Sequence, residues 1–220
     1  MENLAKDFEK SLFNDSIDII WDYMEINIDS LIEEGILKDV PIVKSIVSVL
    51  KIGKNIYDRN LLKQTLIFIK EFNRGNVSSE NLQAYKYKIE NDPKKCEEEL
   101  GRILVLLNNY VDTEKSVMLA RLYRAYINKI INWDEFCEYS EIINRIFIQD
   151  LNILRNVYKG LIVDDSGENK YRIERLYSTG LLGLNPKIKF SFGEQRITEN
   201  EVKINCIGQK FVKIVFQYDF

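Results

Sequence analysis

The stretch Asp92–Val111, DPKKCEEELGRILVLLNNYV, decides the fold. Aspartate followed by proline is a helix start. The carboxylate takes up a free backbone N–H, and proline has its φ set where no N–H is needed. From there Cys96, Leu100, Ile103, Leu104, Leu107 and Val111 recur at spacings of three and four, one apolar stripe of a helix. The same grammar continues on both sides. Ser79 caps a helix to about Asn91. Thr113 opens another to about Lys129, with Val117, Leu119, Ala120, Tyr123, Tyr126 and Ile127 on its buried side. Asn132 and Glu135 have capping-box spacing ahead of a helix with Trp133, Phe136, Tyr139, Ile142, Ile143 and Ile146 inward. Short connections of this kind predict antiparallel neighbours in a multi-helix bundle.

Upstream, residues 4–13 open a helix. Asp15 or Ser16 caps a second one, carrying Ile17, Ile20, Trp21, Met24, Ile28, Leu31 and Ile32 and stopping at Gly35. Val40–Ile56 then reads VPIVKSIVSVLKIGKNI. Ile42, Val43, Ile46, Val49 and Leu50 share one face with Gly53, Ile56 and Tyr57; Lys44, Lys51 and Lys54 share the other with Ser45, Ser48 and Asn55. Such a helix docks on protein or lies on an anionic membrane surface. At roughly 25 Å it is too short to span one. These eight residues, Ile42, Val43, Lys44, Ile46, Val49, Leu50, Lys51 and Lys54, are the candidate membrane- or partner-binding set. Charge is divided too. Residues 1–35 hold ten acids against Lys6 and Lys10, and residues 38–70 hold seven bases against Asp39 and Asp58. The expectation is an acidic helix laid against a basic one; the sharper alternative is a basic face for anionic lipid or nucleic acid, screened until the acidic segment moves.

The last third changes character. A helix from about Ile148 ends near Gly160, a polar loop covers 164–169, and Tyr171–Ser178 is a short helix stopped by Gly180. Lys187–Phe192 and Val202–Ile207 alternate as half-buried strands do. Ile207–Phe216 reads as strand or helix, and Gln209, Lys210 and Lys213 opposite Phe211, Ile214 and Val215 favour a short helix. Short helices and a two-stranded ribbon predict a small winged-helix-like α+β module over 148–220, after a helical domain over 1–147. Its DNA-reading candidates are Lys170, Arg172, Arg175, Lys187 and Lys189. Glu168 and Glu174 offset them, and the pI of about 5.3 disfavours a general DNA binder.

Histidine is absent, which removes Ser-His and Cys-His couples, His-ligated zinc and a His base. Cys96, Cys137 and Cys206 are scattered, so they read as reduced thiols of a cytoplasmic protein. Gly53-Lys54 lacks the rest of a phosphate loop. Asp164, Asp165, Glu168 and Lys170 sit in a polar turn, and Glu97–Glu99 is a charge run favoured by a helix N-terminus. Arg121, Arg124 and Lys129 beside Tyr123 and Tyr126 read as an exposed face with packed stems rather than a ligand pocket. The reading is non-enzymatic, with no catalytic residue, no metal and no cofactor.

Several runs carry a resemblance. They are Lys38–Val47 with Ile56–Asn60, Met118–Tyr126 with Ile131–Phe136, Leu176–Leu182, and Ile207–Phe211. In that order the chain resembles the abortive-infection alpha (Abi-alpha) proteins, which have a helical body, a leucine–glycine–leucine turn and a closing Gly-x-x-Phe helix. The resemblance brings no catalytic residues. It implies a bacterial phage-defence effector or regulator working by growth arrest or cell death. The expected partners are a second copy of the chain or a partner defence protein, with a peripheral place on the inner membrane through the 40–56 helix. A nucleic acid or nucleotide ligand is the remaining alternative, and a soluble interaction module the blandest one.

Overall fold

The computed structural model describes residues 2–13, 39–49, 56–188 and 198–217. The expected helix after Asp15, together with Leu50, Lys51, Gly53, Lys54 and Lys189, lies outside them. The chain is mainly helical with one small antiparallel sheet. Ten α-helices occur among the described residues: α1 (Glu2–Leu12), α2 (Pro41–Val49), α3 (Ile56–Arg74), α4 (Ser79–Asn91), α5 (Pro93–Asn109), α6 (Thr113–Ile127), α7 (Trp133–Arg145), α8 (Leu151–Tyr158), α9 (Lys170–Ser178) and α10 (Cys206–Phe216). Strands β1 (Leu182–Ile188) and β2 (Thr198–Ile204) pair with Leu182 opposite Ile204 and Ile188 opposite Thr198.

The start signals act as the chemistry requires, with small shifts of register. Asp92 accepts from the Lys95 N–H at 3.1 Å, with Pro93 next in the chain. Asn132 and Glu135 cap reciprocally, each side chain 2.9 Å from the other's backbone N–H. The cap of α4 is Ser78 rather than Ser79, because Ser78 Oγ reaches the Asn81 N–H. Asp112, not Thr113, holds the cap position of α6. α5 ends at Asn109, so Val111 points outward and is 84% exposed instead of closing the stripe.

The molecule divides into two compact units, Met1–Phe136 and Cys137–Phe220. The division falls inside α7, earlier than the boundary read near residue 147. Trp133 and Phe136 stack on each other at 5.0 Å and contact Tyr126 in the first unit. Tyr139, farther along, meets Phe211 at 5.8 Å in the second.

In the first unit α6 is the central helix, buried from Met118 to Ala120, from Leu122 to Ala125 and at Ile127. An aromatic ladder crosses it: Phe8, Phe68, Phe72, Tyr123, Tyr126 and Trp133, with neighbouring centroids 5.2–6.4 Å apart. Five of these six contacts are tilted and Phe68–Phe72 is stacked; such pairs add to the burial each ring already contributes. Asn60 and Gln64 of α3 donate to the Tyr110 and Val111 carbonyls, and Ser116 donates to Gln64 at 2.6 Å. These bonds satisfy backbone groups that the end of α5 leaves open.

In the second unit, the ribbon packs with α8 and α9. The loop after α8 adds an edge to β2. Val163 accepts from the Val202 N–H at 2.9 Å, and the Asp165 N–H donates to Asn200 at 3.1 Å. Gly180 ends α9 with φ +81°, a conformation glycine adopts without a steric penalty.

Candidate functional site

The densest polar cluster of the first unit is built on Glu99. The apolar stripe of α5 turns Glu99 inward beside Leu100, and its side chain is 2% exposed. Three donors reach it from two other helices: Lys88 Nζ at 2.6 Å, the Tyr85 hydroxyl at 2.7 Å and the Tyr126 hydroxyl at 3.0 Å. Lys88 also bonds the Tyr126 hydroxyl at 2.8 Å and lies 5.4 Å from the ring centroids of Tyr85 and Tyr126. Tyr85 and Tyr123 share a 2.5 Å hydroxyl–hydroxyl bond. Burial, followed for Tyr85 by the neighbouring Tyr123 and Glu99, raises both hydroxyls far above the usual tyrosine range. They stay neutral and act as donors. A buried carboxylate paired and hydrogen-bonded in this way fixes how α4, α5 and α6 meet. Of the run Glu97–Glu99, only Glu99 is buried. The inward spacing from Cys96 to Ile103 was the available signal for that.

Arg124 corrects the expectation of an exposed arginine face. It is buried and donates to the Glu71 and Phe72 carbonyls near the C-terminus of α3. The Glu71 carboxylate accepts from Arg124 at 3.4 Å and from Arg121 Nε at 2.7 Å. A cation there suits the negative end of the helix dipole. A Cβ at residue 75 would overlap the Arg124 guanidinium, so Gly75 leaves the room that this side chain occupies.

The membrane- or partner-binding candidates fall out unevenly. Ile42, Val43 and Ile46 are buried, packed where α2 meets α1, while Lys44 is exposed. Ser11 Oγ of α1 accepts from the Ile42 N–H at 2.9 Å and so caps α2, and Ser45 donates to Asp7. In this arrangement the apolar face at 42, 43 and 46 is core. It meets lipid only if α2 leaves α1. Val49 closes α2, and Leu50, Lys51 and Lys54 lie outside the described residues. No helix among the described residues is long and apolar enough to cross a membrane.

The DNA-reading candidates are also divided. Arg175 grips Asp150, which is 1% exposed, through Nε at 2.9 Å and Nη2 at 2.7 Å. Its guanidinium lies over Phe147 at 4.4 Å and Tyr171 at 5.2 Å. That pairing commits Arg175 to the fold. Arg172 donates to the Tyr171 hydroxyl at 3.0 Å, Lys170 is exposed, and Lys187 lies on β1. Lys189 lies outside the described residues. Asp165 is buried rather than solvated. Its carboxylate takes the Asn200 N–H at 2.8 Å and the Asn200 amide at 2.7 Å. Burial alone would raise this carboxyl, but the two Asn200 bonds prevail and hold it below its ordinary value. Asp164 accepts from Ser166. Among the described residues no group of three or more acids or cysteines is placed to hold a metal ion.

Cys96 is buried with Sγ 3.7 Å from Glu9, and burial beside that carboxylate pushes its thiol up to about 11. That makes it a poor nucleophile. The runs Leu176–Leu182 and Ile207–Phe211 meet at one junction. A Cβ on Gly208 would overlap the Leu181 carbonyl and lie 2.7 Å from Ile204 Cγ1. Asn205 caps α10 through the Gly208 N–H at 2.8 Å and donates to the Gly180 carbonyl at 2.7 Å. Phe211 is fully buried. Leu181, which leads the Leu-Leu-Gly-Leu run into β1, and the Gly-x-x-Phe helix therefore meet in one packing contact.

Comparison with protein-family models, with curated proteins and with solved structures gives no match.

Proposed function

We propose that this chain is a non-enzymatic bacterial phage-defence protein of the abortive-infection type, an effector or regulator that acts by association with copies of itself or a partner protein. The observation that carries the reading is how the polar interior is used. The buried carboxylates Glu99, Asp150 and Asp165 are each held by fixed partners from elsewhere in the fold. Groups held in this way build a scaffold, and none of the three is poised as an acid or base. The order of sequence runs similar to the Abi-alpha proteins supplies the defence role. A route to the membrane requires α2 to detach, freeing Ile42, Val43 and Ile46 beside Lys44.

We read residues 148–220 as a winged-helix-like module, supported by the helix–ribbon order and by the edge that Val163–Asp165 adds to β2. With Arg175 bound to Asp150, this module is better suited to a protein surface than to a duplex.

The test is phage challenge of bacteria producing the chain. Plaque numbers should fall and infected cells should stop growing; equal plating with and without the chain would refute the role. Sedimentation with anionic vesicles tests the membrane branch. Binding lost in Lys51→Glu/Lys54→Glu supports it, and absence of binding removes it.

A further inference from the structure

In the first unit a groove of about 480 Å³ is lined by residues of α1, the start of α3, and α5. Three observations at this groove point the same way. The first is Gly101. A glycine inside a helix loosens it, and close packing is the usual reason to keep one. Among the described residues a Cβ here would meet only Glu97 Cγ, at 4.0 Å, which is ordinary contact. The packing of the described residues does not require this glycine. Its bare backbone lies in the groove beside Ala5 and Leu104, where an occupant can approach closely.

The second observation is charge. Two carboxylates line the groove, Asp58 and Glu97, and neither makes a hydrogen bond or ion pair among the described residues. The third is Tyr57 on the same wall, 75% exposed. An aromatic face next to carboxylates attracts an organic cation through the ring quadrupole and through charge. The volume is that of a small-molecule site.

We propose that this groove binds an alkylammonium compound, its hydrocarbon chain along Ala5, Gly101 and Leu104 and its cationic head at Asp58, Glu97 and Tyr57. An anionic amphiphile would face two like charges, and a neutral one would gain only the apolar floor. The inference is independent of the defence reading and needs only the fold of the first unit.

Calorimetric titration of the full chain with dodecyltrimethylammonium, below its micelle concentration, is the test. Dodecyl sulfate and dodecyl maltoside are run in parallel, and circular dichroism checks that the fold persists. One saturable site is expected for the cation, at least about tenfold tighter than for either other amphiphile. Gly101→Leu should fill the floor and weaken binding by a similar factor, without lowering the melting temperature. Asp58→Asn with Glu97→Gln should erase the preference for the cation. Equal affinity for all three amphiphiles would overturn the proposal, leaving a plain apolar face of the kind a partner helix covers. So would cation binding that Gly101→Leu leaves intact.

Discussion

The two units each bury a carboxylate, and they neutralise it differently. Glu99 is shared among Lys88 and the hydroxyls of Tyr85 and Tyr126, drawn from α4 and α6. Asp150 is gripped by one residue, Arg175, through a two-pronged fork. The first arrangement divides the task among groups, so no single donor is indispensable. The second relies on the planar geometry of one guanidinium.

Arg175→Met should therefore give the larger loss. It leaves Asp150 without its fork, and amide exchange across 148–178 should accelerate more than any segment of the first unit does in the matching Lys88→Met variant. Arg175→Lys should recover only part of the protection, since an ammonium is a point charge; full recovery would reduce the fork to simple charge. Lys88→Met leaves two hydroxyl donors on Glu99. The expected cost is about 1–2 kcal/mol, read from the urea midpoint. A cost above that for Arg175→Met would break the comparison.

The smallest effect concerns acid. The carboxyl of Asp165 is held below its ordinary value, so the stability it lends is fully present above about pH 4, the unfolded value. That stability drains away as pH falls through the lower folded value. Acid titration followed by exchange at β2 should show early loosening there, and Asp165→Asn should remove this component.

Helix boundaries were readable because their causes are local. Asp92-Pro93 and the Asn132–Glu135 pair each act within three residues, and both form as the residue chemistry demands. The cluster on Glu99 was harder. Its position on the inward stripe was visible, but its partners Tyr85 and Tyr126 come from fourteen and twenty-seven residues away. No spacing rule links them. Arg124 shows the same limit. Its sequence neighbours suggest a surface face, yet the carbonyls it satisfies belong to a helix that ends fifty residues earlier. The amphipathic pattern at 42, 43 and 46 was read correctly as a pattern. It does not say what covers it, and here α1 does.

The junction at Gly208 has a consequence for how this chain can drift. Gly208 and Asn205 contact the carbonyls of Leu181 and Gly180, which are main-chain atoms. The two contacts do not depend on which side chain stands at 181, because every residue supplies a carbonyl. Neither position can be rescued by a compensating change elsewhere. A distant descendant of this chain would then keep an Asn-x-x-Gly signature ahead of its last helix long after overall similarity had faded.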